Sequence, residues 1–404
     1  MNRWIVAALF GLLSFTAQAR EPFTSGEGFV PEDEAETVAW KVSDLAYSDN
    51  VKRRAVSPEF AALEAYAQSV LDKVYPEFKG KLRVRVLPDI GSNALAMPNG
   101  DIYIGGGILA RMSSEAQLAA LLGHEAAHVV YRHGVDGVET QLAVTGAISL
   151  VNTAVNAVPL PVASLVNVVT NPLVRMATQY GVSFTAISSL YGFSRARERQ
   201  ADEIGFTRMV AAGYDPKEAA KLFEALAIES AFSQASKPFF FASHPAMESR
   251  VESYRELAQT TPKVGSFVGE AEFDAQVRPY RSQMIERELR WFRHRSLVGY
   301  FERPEVAALY APGQAAFYLG EAYRRHGTQV DMEKAPAAYR RAVAEGYPAS
   351  KVMEPLVLAY LRLKQGDKAL DVIEEWIAQG KPADSLDLKE YQAQADRLIK
   401  ETSK

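Results

Sequence analysis

The sequence predicts an α+β chain, mostly helical, with one domain built around a small sheet and a helical-repeat region behind it. Three observations carry that expectation. Apolar residues recur at helical spacing through most of the chain. Strand-like runs are few, and they cluster between Leu82 and Ile104. Near the C-terminus, small and aromatic residues recur in a scheme that places Tyr323 and Tyr360 37 residues apart.

The 404 residues suit about two domains at roughly 150 residues each. Apolar residues make up 48% and charged residues 23%, an ordinary globular balance. The net charge of −4 carries no basic excess, which argues against nucleic acid as a partner. There is no cysteine. Disulfide scaffolds, iron–sulfur clusters, cysteine-liganded zinc and a thiol nucleophile are excluded, so any metal must be held by His, Asp or Glu.

The N-terminus has the form of an export signal. Arg3 supplies the positive charge, Ile5 to Thr16 the apolar run, and Ala17-Gln18-Ala19 a small-x-small cleavage site. A dozen apolar residues fall short of the roughly 20 that span a bilayer, so cleavage after Ala19 is expected. Residues 1–19 are read as signal peptide, and a cysteine-free exported chain suits the bacterial periplasm.

Glu32 to Tyr47 and Pro58 to Val74 show helical periodicity. Leu82 to Val86 alternates as a strand, and the short runs flanking Asn99-Gly100 form a hairpin. Ser114 with Gln117 caps the next helix, expected over Glu115 to His133. Thr140 to Ser194 holds one charge, Arg175. Its Pro and Asn residues break it into pieces too short to span a bilayer comfortably, which favours apolar helices covering the core or cleft over the alternative, a transmembrane pair in a membrane-embedded protease. Arg195 to Met209 is helical again, Gly213 to Pro216 is a turn, and Pro262 to Gly269 reads as a linker. Residues 263–312 then provide helices leading to a tetratricopeptide-like region over 313–404. Its first helix carries Ala316, Leu319, Gly320 and Tyr323, and its second Ala335, Tyr339 and Ala342. His326 is expected as a lone loop histidine.

The strongest motif is His124-Glu125-Ala126-Ala127-His128. Histidines at i and i+4 share one helix face and can grip one ion, and the intervening Glu can take a proton from bound water. A catalytic zinc takes three protein ligands. The metzincin continuation requires glycine at 131 and histidine at 134, and the chain has Tyr131 and Gly134 instead. His133, five residues after His128, points away from the ligand face in a continued helix and reads as a surface or packing residue. Glu198 and Asp202, again at i and i+4, offer a third ligand and a carboxylate to orient a ligand imidazole.

These residues resemble the HtpX-like and BepA-like zinc metalloproteases, a gluzincin family. The resemblance rests on Asn93-Ala94-Leu95-Ala96, the helix from His124 to His128 followed by Arg132-His133, Glu198 to Asp202, and His244-Pro245 with Arg250. It covers roughly Glu32 to Leu257, within a protease domain expected over 20–262. It implies one zinc ion on His124, His128 and Glu198, with Glu125 as general base. It further implies an oxyanion-stabilising role for His244 and a structural or substrate role for Arg250. The strand Asp101 to Ile104 is expected at a sheet edge, where Asn93, Asp101, Ile102 and Tyr103 would bind an extended substrate. An exported member with C-terminal repeats implies unfolded or misassembled envelope proteins as substrates, with outer-membrane assembly machinery as partner of the repeats. The rival expectation is a chaperone or adaptor acting through its repeats.

Overall fold

The structure, a computed structural model, describes residues 23, 31–46, 60–87, 93–140, 193–232, 247–261, 265–290, 294–383 and 385–402. The expected signal peptide, most of the apolar stretch after Thr140, and His244 lie outside the described residues.

The described chain is predominantly helical with one three-stranded sheet. Helix α1 (Glu34–Ala46) and α2 (Ala61–Val74) precede β1 (Arg83–Leu87), β2 (Ala94–Ala96) and β3 (Asp101–Gly105). The order is β1-β3-β2, with β1 parallel and β2 antiparallel to β3. The expected hairpin is present. Gly100, at φ 92°, supplies the positive dihedral that the turn needs, and Asn99 Oδ1 accepts from the Asp101 amide.

The expectation for Asp101, Ile102 and Tyr103 is corrected here. They form the central strand, whose backbone is paired on both sides, so no substrate strand can be added to it. The Asp101 carboxylate is also taken, accepting from Arg83 Nε at 2.7 Å and Asn99 Nδ2 at 3.2 Å. At the β1 edge, α2 side chains occupy the outward amides: Val84 N–H donates to Gln68 Oε1 and Val86 N–H to Glu64 Oε2. Among the described residues the sheet's other outer strand is β2, which Asn93 leads into.

Short α3 (Gly106–Arg111) leads into α4 (Glu115–Val130), which is buried along its whole length. Ser114 Oγ accepts from the Gln117 amide, and Gln117 Oε1 accepts from the Ser113 amide. Buried Glu115 accepts from Tyr66 Oη, Tyr214 Oη and Lys73 Nζ at 2.7–2.8 Å. Its carboxyl lies below the usual range: burial opposes ionisation, and the Lys73 and tyrosine hydrogen bonds outweigh it. Helix α4 ends at Val130, and Arg132 adopts φ 57°. The buried Arg132 guanidinium pairs with Glu32 and Glu36, tying α1 to this end of α4.

Helices α5 (Arg195–Ala211), α6 (Lys217–Phe232) and α7 (Met247–Thr260) complete the shell around α4. At the crossing of α4 and α5, Gly123 faces Gly205. A Cβ on Gly205 would lie 2.6 Å from Gly123 C and from His124 N. Two residues without side chains therefore let the backbones touch.

The segment expected as a linker is docked. Glu115 and Ala116 amides donate to the Gly269 and Val268 carbonyls, and Phe267 bridges to Tyr214. Helix α8 (Glu270–Arg290) then packs on α3, and α9 (His294–Phe301) packs on α6. Arg111 meets Glu288 through two hydrogen bonds of 3.1 and 2.9 Å, with both side chains buried. Removing one partner strands the other charge in the core, so Glu288→Ala is expected to cost about 3–5 kcal/mol. Urea unfolding of the full chain measures it.

The C-terminal region consists of helical hairpins, α10 (Gln314–His326) with α11 (Gln329–Ala344) and α12 (Ala349–Arg362) with α13 (Gly366–Ala378), closed by α14 (Leu386–Thr402). Gly320 receives the Tyr339 ring, so a Cβ there would sit 2.7 Å from it. Buried Glu321 accepts from Tyr339 Oη at 2.6 Å. His326 is not a loop residue. It ends α10, and its Nδ1 lies 2.5 Å from Asp331 Oδ2. One apolar core runs from the sheet into these hairpins.

Candidate metal centre

Helix α4 presents His124 and His128 one turn apart, and α5 presents Glu198 from across the Gly123–Gly205 crossing. His124 Nε2 lies 3.1 Å from His128 Nε2. Glu198 oxygens lie 3.7 Å from His124 Nε2 and 3.4 Å from His128 Nε2. These three residues are the one metal-competent cluster among the described residues.

The donor set fits zinc. For bonds of roughly 2.0–2.1 Å in a tetrahedral site, donor atoms sit about 3.3 Å apart, close to the 3.1 Å between the imidazole nitrogens and the 3.4 Å from His128 Nε2 to Glu198 Oε1. Two imidazole nitrogens 3.1 Å apart repel if both present lone pairs to each other, and a shared cation removes the conflict. All three residues and Glu125 are buried, which strengthens electrostatic interaction inside the site.

Asp202, one turn along α5 from Glu198, accepts from His124 Nδ1 at 2.9 Å. That places the imidazole hydrogen on Nδ1 and turns Nε2 toward His128 and Glu198. Asp202 also accepts from Arg250 Nε at 2.8 Å, Arg250 Nη2 at 2.6 Å and Tyr254 Oη at 2.7 Å. Burial pushes its carboxyl upward, but the Arg250 charge and the His124 hydrogen bond overcome that and hold it well below the usual carboxylate range. Arg250 reaches Glu198 Oε2 through Nη1 at 3.0 Å, and its guanidinium lies over the Phe223 ring at 4.6 Å. One buried arginine thus clamps Glu198 and Asp202 of α5.

Of the surface and packing readings of His133, burial favours packing. His133 is buried, and its Nδ1 lies 3.0 Å from His128 Nδ1. The helical register that aimed it outward stops at Val130, and the left-handed Arg132 folds the chain back. His133 Nε2 meets Gln200 Oε1 at 3.0 Å. Burial pushes the His133 imidazole down to about 4, against the opposing pull of the Gln200 hydrogen bond. Phe193 stacks on His128 with centroids 3.8 Å apart. Gln200, Gly205, Phe193 and Tyr254 were not singled out from the sequence. Of these, only Gly205 carries a local signal, a glycine seven residues after Glu198 inside a helix.

The sequence matches Peptidase family M48 over residues 59–258, a span that includes every residue described above at this centre. This chain carries an M48 peptidase domain. The M48 domain is a metallopeptidase domain, and the cluster of His124, His128 and Glu198 lies within it. Among curated relatives, the mitochondrial metalloendopeptidase OMA1 of Schizosaccharomyces pombe is 33% identical over 177 residues, covering 44% of this chain and 46% of that protein. The putative beta-barrel assembly-enhancing protease of Vibrio cholerae is 27% identical over 179 residues, covering 44% and 34%. The beta-barrel assembly-enhancing protease of Escherichia coli K12 is 28% identical over 178 residues, covering 43% and 34%. The chain spans less than half the length of each of these relatives. No helix among the described residues is long and apolar enough to cross a membrane.

Proposed function

We propose that the protein is a zinc-dependent endopeptidase, exported to the periplasm, that acts on unfolded or misassembled cell-envelope proteins. The observation that carries this reading is the convergence of His124, His128 and Glu198 beside Glu125 within the M48 domain. One zinc ion held by those three residues would supply Lewis acidity and an acidified water. Glu125, one residue after His124 on α4, takes the proton from the attacking water and returns it to the leaving amine. Asp202 and Arg250 hold the ligands in place. His244, outside the described residues, is assigned to the developing oxyanion on the sequence resemblance.

Strand β2 gives substrate an edge to pair with. Asn93, at its start, is buried, and neither side-chain polar atom has a hydrogen-bond partner among the described residues. A buried amide in that state favours a ligand that satisfies it, and a peptide backbone does so with one donor and one acceptor. Asn93 and β2 thus replace Asp101, Ile102 and Tyr103 as the substrate contacts.

The named relatives that enhance beta-barrel assembly support outer-membrane proteins as the substrate class. The C-terminal hairpins, read as tetratricopeptide-like repeats, would recruit those substrates or the assembly machinery. The alternative, a chaperone with a latent site, is disfavoured by the complete set of ligands and base. Incubating the purified protein with a denatured β-barrel protein tests the proposal. Cleavage should stop with a chelator and return with zinc. Cleavage that survives complete metal removal would refute it.

A further inference from the structure

We infer that His133 is a positioning residue that fixes the ring of the metal ligand His128 through a directed hydrogen-bond chain ending at Gln200. The inference rests on the reading that His124, His128 and Glu198 hold a metal ion.

The chain is read atom by atom. His128 turns Nε2 toward His124 and Glu198, and its Nδ1 lies 3.0 Å from His133 Nδ1. His133 Nε2 lies 3.0 Å from Gln200 Oε1. A neutral imidazole has one donor nitrogen and one acceptor. To ligate through Nε2, His128 must carry its hydrogen on Nδ1, and that N–H donates to His133 Nδ1. His133 must then carry its own hydrogen on Nε2, where it donates to Gln200 Oε1. Reversing the chain would put a hydrogen on His128 Nε2, aimed into the donor cluster, and would abolish it as a ligand. One proton arrangement therefore satisfies both of these contacts and leaves the His128 Nε2 lone pair directed at the donor cluster.

The backbone is built for this contact. Helix α4 stops two residues after His128, and Arg132 at φ 57° turns the chain back. Non-glycine residues adopt that conformation at a cost, and buried Arg132 is held there by Glu32 and Glu36. Gln200 lies on α5, two residues beyond Glu198. The chain therefore links the end of the helix bearing both histidines to the helix bearing the third ligand.

The two ligand histidines consequently have unlike outer partners. His124 donates to a carboxylate, Asp202, and His128 to a neutral imidazole. His133 is not a fourth ligand, because its Nδ1 contacts the side of the His128 ring away from the donor cluster.

The test uses the full-length protein and zinc alone. Zinc dissociation constants from chelator competition are compared for the wild type, His133→Phe, His133→Asn and Gln200→Leu. His133→Phe keeps the ring and removes the acceptor, and should weaken zinc binding roughly 10–100-fold. His133→Asn places an amide oxygen near the former Nδ1 position and should recover most of the affinity. Gln200→Leu removes only the outer link and should fall between the two. A packing role would make affinity follow ring volume, with the Phe variant close to wild type and the Asn variant worse. In the wild type, labelling the six histidines with ¹⁵N should show His133 protonated on Nε2 and His128 on Nδ1 once zinc is bound. Wild-type zinc affinity in His133→Phe, or a His133 hydrogen on Nδ1, would overturn the inference. If His133→Phe does not fold, the Asn and Leu variants and the wild-type spectrum still decide it. Failure of the wild type to bind zinc would instead refute the proposed function.

Discussion

Glu125→Gln is expected to lower peptide cleavage by about two to four orders of magnitude while the metal stays bound. The substitution keeps the side chain's shape and removes its basicity. Glu125 is not in the ligand cluster, which consists of His124, His128 and Glu198. The base and the ligands are therefore separable functions on one helical turn of α4. A fluorogenic unstructured peptide and metal analysis of the same sample measure both. Substantial cleavage in the variant would remove Glu125 from its role. Loss of metal would show that it helps hold the ion.

Gly205→Val should be nearly as damaging, although residue 205 belongs to neither the ligand set nor the base. Its Cβ would lie 2.6 Å from Gly123 C and His124 N, well inside contact distance, and both atoms are backbone. Neither can rotate away, so α5 must move off α4. Overpacking of this kind costs about 1–3 kcal/mol in stability. The larger consequence is geometric, because α5 carries Glu198 and Asp202 while α4 carries His124 and His128. A displacement of about 1 Å at a site can cost roughly 100-fold in rate. The variant should therefore remain folded by circular dichroism, lose most of its affinity for zinc, and cleave peptide about 100-fold more slowly. Wild-type zinc affinity in Gly205→Val would mean that the crossing does not set the site.

Local signals in the sequence identified the parts of this fold that local rules govern. Alternation in Leu82 to Val86 and the Asn99-Gly100 turn gave the strand and hairpin, and Ser114 with Gln117 marked the start of α4. The i,i+4 spacings of His124 with His128 and of Glu198 with Asp202 are geometric facts of any helix, so the two halves of the centre were legible. Strand order was not. β3 comes last in the sequence yet sits in the middle of the sheet, because β1 pairs with it in parallel across an intervening strand. Edge and centre are properties of the assembled sheet, which is why Asp101–Tyr103 do not form the edge expected of them. The contact of His133 with His128 was not legible because helical register stops at a terminus set by tertiary contacts. Arg132 is neither glycine nor asparagine, and its left-handed turn is held by ion pairs to Glu32 and Glu36, nearly 100 residues earlier in the chain. The segment 265–269 looks like a linker by composition, but its Val268 and Gly269 carbonyls accept from the amides of the first turn of α4. Long-range pairing of this kind leaves no local signature.

The measurement that bears most directly on the account is the zinc content of the purified protein beside that of Glu198→Ala. Glu198 is the ligand that joins the two helices: His124 and His128 share one turn of α4, and only Glu198 brings α5 into the coordination sphere. The account predicts one zinc ion per wild-type chain and little or none in the variant after dialysis against a mild chelator. A full equivalent of zinc retained in Glu198→Ala, or none bound by the wild type, would contradict it.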